Sequence, residues 1–300
     1  MTIRVANAPV SYGAFEITVG VLPNVPGAEE VLTAIAQAGY EGTELGPPGY
    51  LGDREQLRER LERHGLGLAG AYIPLRFSEP EHWDEDLAAM ALTLDLLAAP
   101  GNRDGLPVLA DAGSPERAAN PGRAALDPGF GLDDAGWSRL SDGVRRAAEL
   151  AREAGFDPTF HPHAGTFVEA QWEVERLLEL TDVGLLVDTG HLLLGGCDPV
   201  QGLRDWRDRV NHVHLKDVRM EILRVAVDDG ADMPEVWRRG VFCELGAGDV
   251  DLDAFIAELR GYSGWLVVEQ DWVPAPDDDA AKAVEAQARN RAWLVEHAGL

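Results

Sequence analysis

Five of the eight histidines in this chain, His161, His163, His191, His212 and His214, fall between positions 161 and 214. Carboxylates interleave with them: Asp188 stands three residues before His191, and Glu269 and Asp271 follow downstream. Imidazole and carboxylate ligate divalent cations, and imidazole moves protons near neutral pH. The two cysteines, Cys197 and Cys243, have no CxxC spacing, which leaves neither a disulfide framework nor a thiolate zinc site. Any metal must therefore be held by His, Asp or Glu. Two imidazoles with two carboxylates form an N/O set that suits Mn2+ or Co2+ first, with Zn2+ and Mg2+ also compatible, and leave positions open to substrate. The expected ligands are His161, Asp188, His214 and Glu269.

Such a set needs a scaffold, and the pattern of the chain supplies one. Short β-rich runs alternate with amphipathic stretches of helical period, the arrangement of βα units around a parallel sheet. Strands are expected at 3–9, 40–45, 67–73, 107–111, 157–161, 183–188, 210–216 and 264–269. Helices are expected at 28–38, 54–64, 81–98, 133–154, 170–180, 200–207, 252–260 and 280–297. Eight repeats in 300 residues fit a single (β/α)8 TIM barrel, one domain over residues 1–300. Gly39, Gly65, Gly155 and Gly261 stand just past helical runs and read as helix closures. Two long connections, 112–132 and 218–250, follow strands and so lie on the face where strand C-termini open; they are candidate lids.

The two-residue period of a strand selects the inward side chains. On the eighth strand Trp265, Val267 and Glu269 share a face, and on the seventh His212, His214 and Lys216 do. Gly184, Leu186 and Asp188 form the inner set of the sixth, with Gly42 and Glu44 that of the second. Pro162 cannot donate to a ladder, so the fifth strand ends there, leaving His161 deep and His163 at the mouth. His212 lies one pleat deeper than His214, where it could contact substrate or orient a neighbour. Glu44 would be buried and needs a partner. Trp265 and Trp272 flank the eighth strand, Trp272 as a candidate substrate contact. Gly246 and Gly248 lack the spacing of a phosphate loop and read as a turn before the helix at 252.

Composition limits the partners. With 45% hydrophobic and 26% charged residues, the chain is globular rather than disordered. Its 26 Lys+Arg against 52 Asp+Glu give a net charge of −26, which repels nucleic-acid backbones. No basic-then-apolar leader and no membrane-length apolar stretch is seen, so the expected location is the cytoplasm, with no membrane partner. The sequence is also compatible with a homo-oligomer.

Six motifs carry a family resemblance: TELG at 43–46, FHPHAGT at 160–166, VDTGH at 187–191, HVHLKD at 212–217, ELGAGDVD at 244–251 and VVEQD at 267–271. Together they resemble the xylose-isomerase-like sugar phosphate isomerase/epimerase superfamily, in order from the second strand to the eighth. The resemblance implies a metal-dependent barrel acting on sugars, keto-sugars or cyclitols, with Glu, Asp, His and Glu ligands from strands five to eight. Asp188, His214 and Glu269 match three of those places. The fifth strand departs from the pattern by carrying His161-Pro162-His163 in place of Glu, and its HPHAGT segment is similar to the inosose dehydratase branch. The first ligand place is open to either imidazole.

That departure has a chemical consequence. A neutral imidazole can take a proton α to a polarised carbonyl, and an imidazolium can protonate a departing hydroxyl, which suits β-elimination of water. The resemblance thus implies a divalent-metal-dependent dehydratase (hydro-lyase) of a small keto-sugar or keto-cyclitol, working through an enediolate. His163 or Glu269 would be the base, His191 and Lys216 would orient hydroxyls, and Glu44, His212 and Trp272 would contact substrate. The alternatives are a sugar (phosphate) isomerase or epimerase, a 3-keto-glycoside eliminase, an endonuclease at abasic DNA, and a non-catalytic sugar-binding barrel.

Overall fold

Each predicted β run is short, apolar on the side that meets the helices, and followed by a helix with one buried stripe. The computed structural model describes residues 2–101 and 103–300. Its strands are β1 Ile3–Asn7, β2 Gly42–Glu44, β3 Gly67–Leu75, β4 Leu106–Asp111, β5 Thr159–Phe160, β6 Gly184–Asp188, β7 Val210–Leu215, β8 Asp217–Val218, β9 Phe242–Cys243 and β10 Gly264–Val268. The eight strands β1 to β7 and β10 pair in parallel and close into a barrel, β1 meeting β2 on one side and β10 on the other. This is the expected (β/α)8 TIM barrel. Strands β8 and β9 form a separate antiparallel pair.

Two faces of the barrel wall are filled differently. Val5, Leu68, Leu109, Phe160, Leu185, Val213 and Leu266 point outward into the main core, against helix residues such as Leu32, Leu57, Met90, Leu140 and Leu177. Inside the barrel, Ala6, Ala8, Ala69, Trp265 and Val267 pack together. Trp265 fills this floor because Gly42 and Gly67 leave it room: a Cβ would sit 2.6 Å from its ring at Gly42 and 2.8 Å at Gly67. Above the floor, register levels the polar residues. Asp188 pairs with His214 across β6 and β7, and His214 with Val267 across β7 and β10. One pleat beyond Val267 comes Glu269.

Three details differ from the sequence reading. The fifth strand is only Thr159–Phe160, although the His161 amide still donates to Leu109 O at 2.7 Å. A helix, Thr189–Leu194, begins directly after β6 because Asp188 caps it, Oδ1 accepting from the Gly190 and His191 amides at 2.9 Å each. The two long connections are structured: one contains the helix Pro115–Ala118, and the other contains Met220–Asp228 and Met233–Arg238, whose Leu223, Ala226, Met233 and Val236 are buried. The turn reading of Gly246 and Gly248 holds, since both amides donate to Asp217 Oδ2 at 2.9 Å. No helix among the described residues is long and apolar enough to cross a membrane.

Candidate active site

At the C-terminal end of the strands, β2, β5, β6, β7 and β10 aim polar groups at one place. His214 is the centre. Its Nε2 lies 3.0 Å from Glu44 Oε1, which also lies 3.1 Å from His212 Nε2. Its Nδ1 faces the other way, 2.9 Å from Glu269 Oε2 and 3.6 Å from Asp188 Oδ2. Asp188 Oδ2 is in turn 3.4 Å from His161 Nε2. His214 Nδ1, Asp188 Oδ2 and both ring nitrogens of His161 are buried without a hydrogen-bond partner. Buried polar atoms that meet without hydrogen-bond geometry are costly, and a shared cation would satisfy them together. One ligand atom from each of His161, Asp188 and His214 lies within 4.8 Å of the others, so the donor set fits a divalent ion. Glu269 Oε2 is beside the same nitrogen and completes an N/O quartet.

Lys216 enters this cluster from the end of β7. Its Nζ lies 2.9 Å from Glu269 Oε2, 3.3 Å from Asp188 Oδ2 and 3.0 Å from Asp271 Oδ1. Burial would lower this ammonium, but Asp188, Asp271 and Glu269 outweigh it and hold it protonated well above its usual value. Burial would likewise raise Glu44, and His214 and His212 outweigh it to hold that carboxyl below the ordinary range. His163 is pushed the other way: burial, then the nearby His191 and His161, lower it well below the usual imidazole value. Its Nδ1 donates to Ala164 O at 3.0 Å, so the neutral ring carries its lone pair on Nε2.

These groups open into a cavity of about 210 Å³. Glu16, Glu44, His161, His163, His214, Lys216, Glu269 and Asp271 form its polar wall, and Lys216 is the one Lys or Arg among the lining residues. Phe15, Ile17, Tyr72 and Trp237 form much of the rest. Phe15 and Trp237 stack with centroids 6.1 Å apart, and Tyr72 sets its edge to His161 at 6.1 Å. Charged groups thus lie under an aromatic rim at the end of the barrel where strand C-termini open, the end at which TIM-barrel sites are found.

Residues 32–294 match the family of xylose isomerase-like TIM barrels. The chain belongs to that family. One relative, an inosose dehydratase of Geobacillus kaustophilus (strain HTA426), is 35% identical over 287 residues, 91% of this chain and 88% of that protein. A relation along nearly the whole length makes this member of the family an enzyme. Two solved structures share the fold. The probable 3-DHS dehydratase involved in petrobactin synthesis from Bacillus anthracis has a TM-score of 0.72 at 14% identity, covering 98% of this chain and 99% of that one. The IOLI protein with a bound zinc atom has a TM-score of 0.71 at 14% identity, covering 99% and 98%.

Within this xylose isomerase-like barrel the structure brings His161, Asp188, His214, Glu269, Lys216, Glu44 and His163 together, but it sets three expected contacts back from the cavity. His212 is fully buried beneath His214, one pleat deeper, with Nε2 turned to Glu44. His191 rides on the helix after β6 and is carried behind His163, the rings 3.8 Å apart and 34° inclined. It reaches Lys216 Nζ at 3.1 Å but does not line the cavity. Trp272 is not among the residues that line the cavity and lies beside Gly13, its ring 3.4 Å from where a Cβ there would sit. The tryptophan that does line the cavity is Trp237, in the 218–250 connection, where no strand period marks it. Tyr72 was legible only in part: β3 alternates, but a lone tyrosine on an inner face carries no motif.

Proposed function

We propose that the protein is a divalent-metal-dependent dehydratase of an inosose-like cyclic keto-polyol. The observation that carries this reading is the convergence of one ligand atom from each of His161, Asp188 and His214, all within 4.8 Å of one another, beside a half-buried His163. The inosose dehydratase relative supports the substrate class, and the zinc in the IOLI protein supports a divalent ion. His161, Asp188, His214 and Glu269 would hold the ion, with Mn2+ or Co2+ suited to two nitrogen and two oxygen donors. Bound there, a divalent cation supplies Lewis acidity that polarises a ketone and acidifies the adjacent C–H.

The protein's own groups do the rest. His163 Nε2 takes the proton from the α-carbon, and the C–H electron pair enters the enediolate. As the new C=C forms, the β-carbon releases its hydroxyl, and the His163 imidazolium returns the proton to that oxygen, which leaves as water. The resulting α-hydroxy enone tautomerises to a 1,2-diketone, and the ring is neutral again. Use of one imidazole for both transfers places both on one face of the substrate ring. Lys216, tied to Asp271, donates to substrate hydroxyls, and the aromatic rim limits water.

Loading the protein with Mn2+, Co2+, Zn2+ or Mg2+ and adding 2-keto-myo-inositol tests the proposal through enone or diketone absorbance. Absence of a signal with every ion removes this substrate. A second reading, a sugar isomerase or epimerase, is favoured by the presence of both Glu44 and Glu269 in the cavity wall. It predicts solvent deuterium at the α-carbon without loss of water. Abasic DNA is disfavoured by the net charge of −26.

A further inference from the structure

The 112–132 connection sends no side chain to the cavity wall. What it contributes is Arg117, whose side chain is 1% exposed. Arg117 Nη1 donates to Glu173 Oε1 at 2.8 Å and Nη2 to Glu173 Oε2 at 2.9 Å, a two-pronged contact. Nη2 also donates to Glu169 Oε2 at 3.2 Å. Both carboxylates hold backbone as well. Glu173 Oε2 accepts from the Glu169 and Ala170 amides at 3.0 and 2.9 Å. Glu169 Oε1 accepts from the Gly122 amide at 2.8 Å and from the Gly165 amide at 3.1 Å.

Gly165 belongs to the turn that begins at His163. The His163 amide donates to Val168 O at 2.9 Å, and Thr166 Oγ1 donates to His163 O at 2.8 Å. The 112–132 connection and this turn also touch without side chains between them, since a Cβ on Gly113 would stand 2.8 Å from Gly165 O. Asp111 Oδ1 bridges them, accepting from the Gly113 and Phe167 amides at 2.8 and 3.1 Å.

We propose that Arg117 is a positioning residue for His163, acting through Glu169 and the 163–169 turn. The inference rests on His163 being the proton-transfer group. A buried guanidinium with two carboxylates is expensive to desolvate, and apolar residues of similar volume often replace such groups without loss of stability. Apolar packing cannot supply directed acceptors for the Gly122 and Gly165 amides. The buried Arg117–Glu169–Glu173 triad therefore sets the orientation of the turn, and with it the direction of the imidazole at the mouth.

The test uses the Mn2+-loaded protein as wild type, Glu169→Gln, Arg117→Met and Arg117→Lys. Amide hydrogen exchange over 162–170 and the kinetics of 2-keto-myo-inositol dehydration are read together. Glu169→Gln leaves the Arg117–Glu173 contact in place and guards against an Arg117→Met protein that fails to fold. In Glu169→Gln, exchange in the turn should quicken about tenfold and kcat should fall about tenfold while KM stays within about twofold. Arg117→Lys should regain part of what Arg117→Met loses. Unchanged exchange in the turn overturns the proposal, and so does quickened exchange with wild-type kcat. A wild-type protein inert towards 2-keto-myo-inositol sinks the dehydratase reading instead, and exchange alone then decides whether Arg117 fixes the turn.

Discussion

Glu44 and His214 meet at 3.0 Å, Oε1 to Nε2, and this contact turns the opposite nitrogen of the ring toward Asp188 and Glu269. A carboxylate that accepts the Nε2 proton of a ligating imidazole sets its tautomer and raises its basicity. Glu44→Gln should therefore retain the fold and weaken Mn2+ binding by about 10-fold to 100-fold. Competition with a chromophoric chelator measures it, and wild-type affinity would mean that Glu44 does not orient His214.

Removal of the central acceptor should act more severely. Asp188 is fully buried, and its Oδ2 faces both His161 and His214. In the wild type, metal at 100 times its Kd should add about 2.7 kcal/mol of stability, visible as a rise in Tm reversed by chelator. Asp188→Asn should abolish that rise. A chelator-sensitive Tm that survives the substitution would place the ion elsewhere.

Tyr72 stands in the cavity wall between His161 and His163, with ring centroids 6.1 and 5.9 Å away. Burial, reinforced by Glu16 and Asp111, holds its hydroxyl protonated well above the usual value, so at physiological pH it keeps a proton to donate to a substrate oxygen. Tyr72→Phe should raise KM for a polyol substrate about tenfold, the scale of one lost hydrogen bond, with metal content unchanged. An unaltered KM would show that the phenol is packing alone.

Asp111 carries the pH signature of the scaffold. Burial pushes its carboxyl up to about 6, against the Phe167 and Gly113 amides that favour its charged form. The folded protein therefore binds this proton more tightly than the unfolded chain does. The contribution to stability is fully present below the unfolded value of about 3.8 and is lost as pH rises through 6. Asp111→Asn, which keeps an acceptor oxygen and carries no charge, should match wild type at pH 4 and exceed it at pH 8 by on the order of 2 kcal/mol. Denaturant melts at the two pH values decide it; equal gaps at both would refute the assignment.

Much of this barrel is written in local pattern. Alternation in HVHLK at 212–216 places His212, His214 and Lys216 on one face, and the inward set on β10 follows from the same rule. Capping residues and glycines mark the helix ends, as at Gly39, Gly65, Gly155 and Gly261, all with positive φ. The motifs HPHAGT, DTGH and HVHLKD identify the family because their order along the chain matches the order of the strands. Period and punctuation are properties of neighbours in sequence, so sequence determined the element order, the barrel class and which strands bring imidazole and carboxylate to one end.

Other features depend on contacts between segments far apart in the chain. Glu44 and His214 are 170 positions apart, and nothing local to either one says that they share a proton. Trp237 reaches the cavity and Arg117 the interior from connections whose sequence reads as loop, because the helices inside them are short and held by tertiary burial. Trp272 and His191 miss the cavity for a related reason: past the last paired residue of a strand, direction is set by how the next segment docks, not by the pleat. Closing the barrel brings strand ends into one shell, and only the packing of the segments beyond them decides which side chains face the cavity.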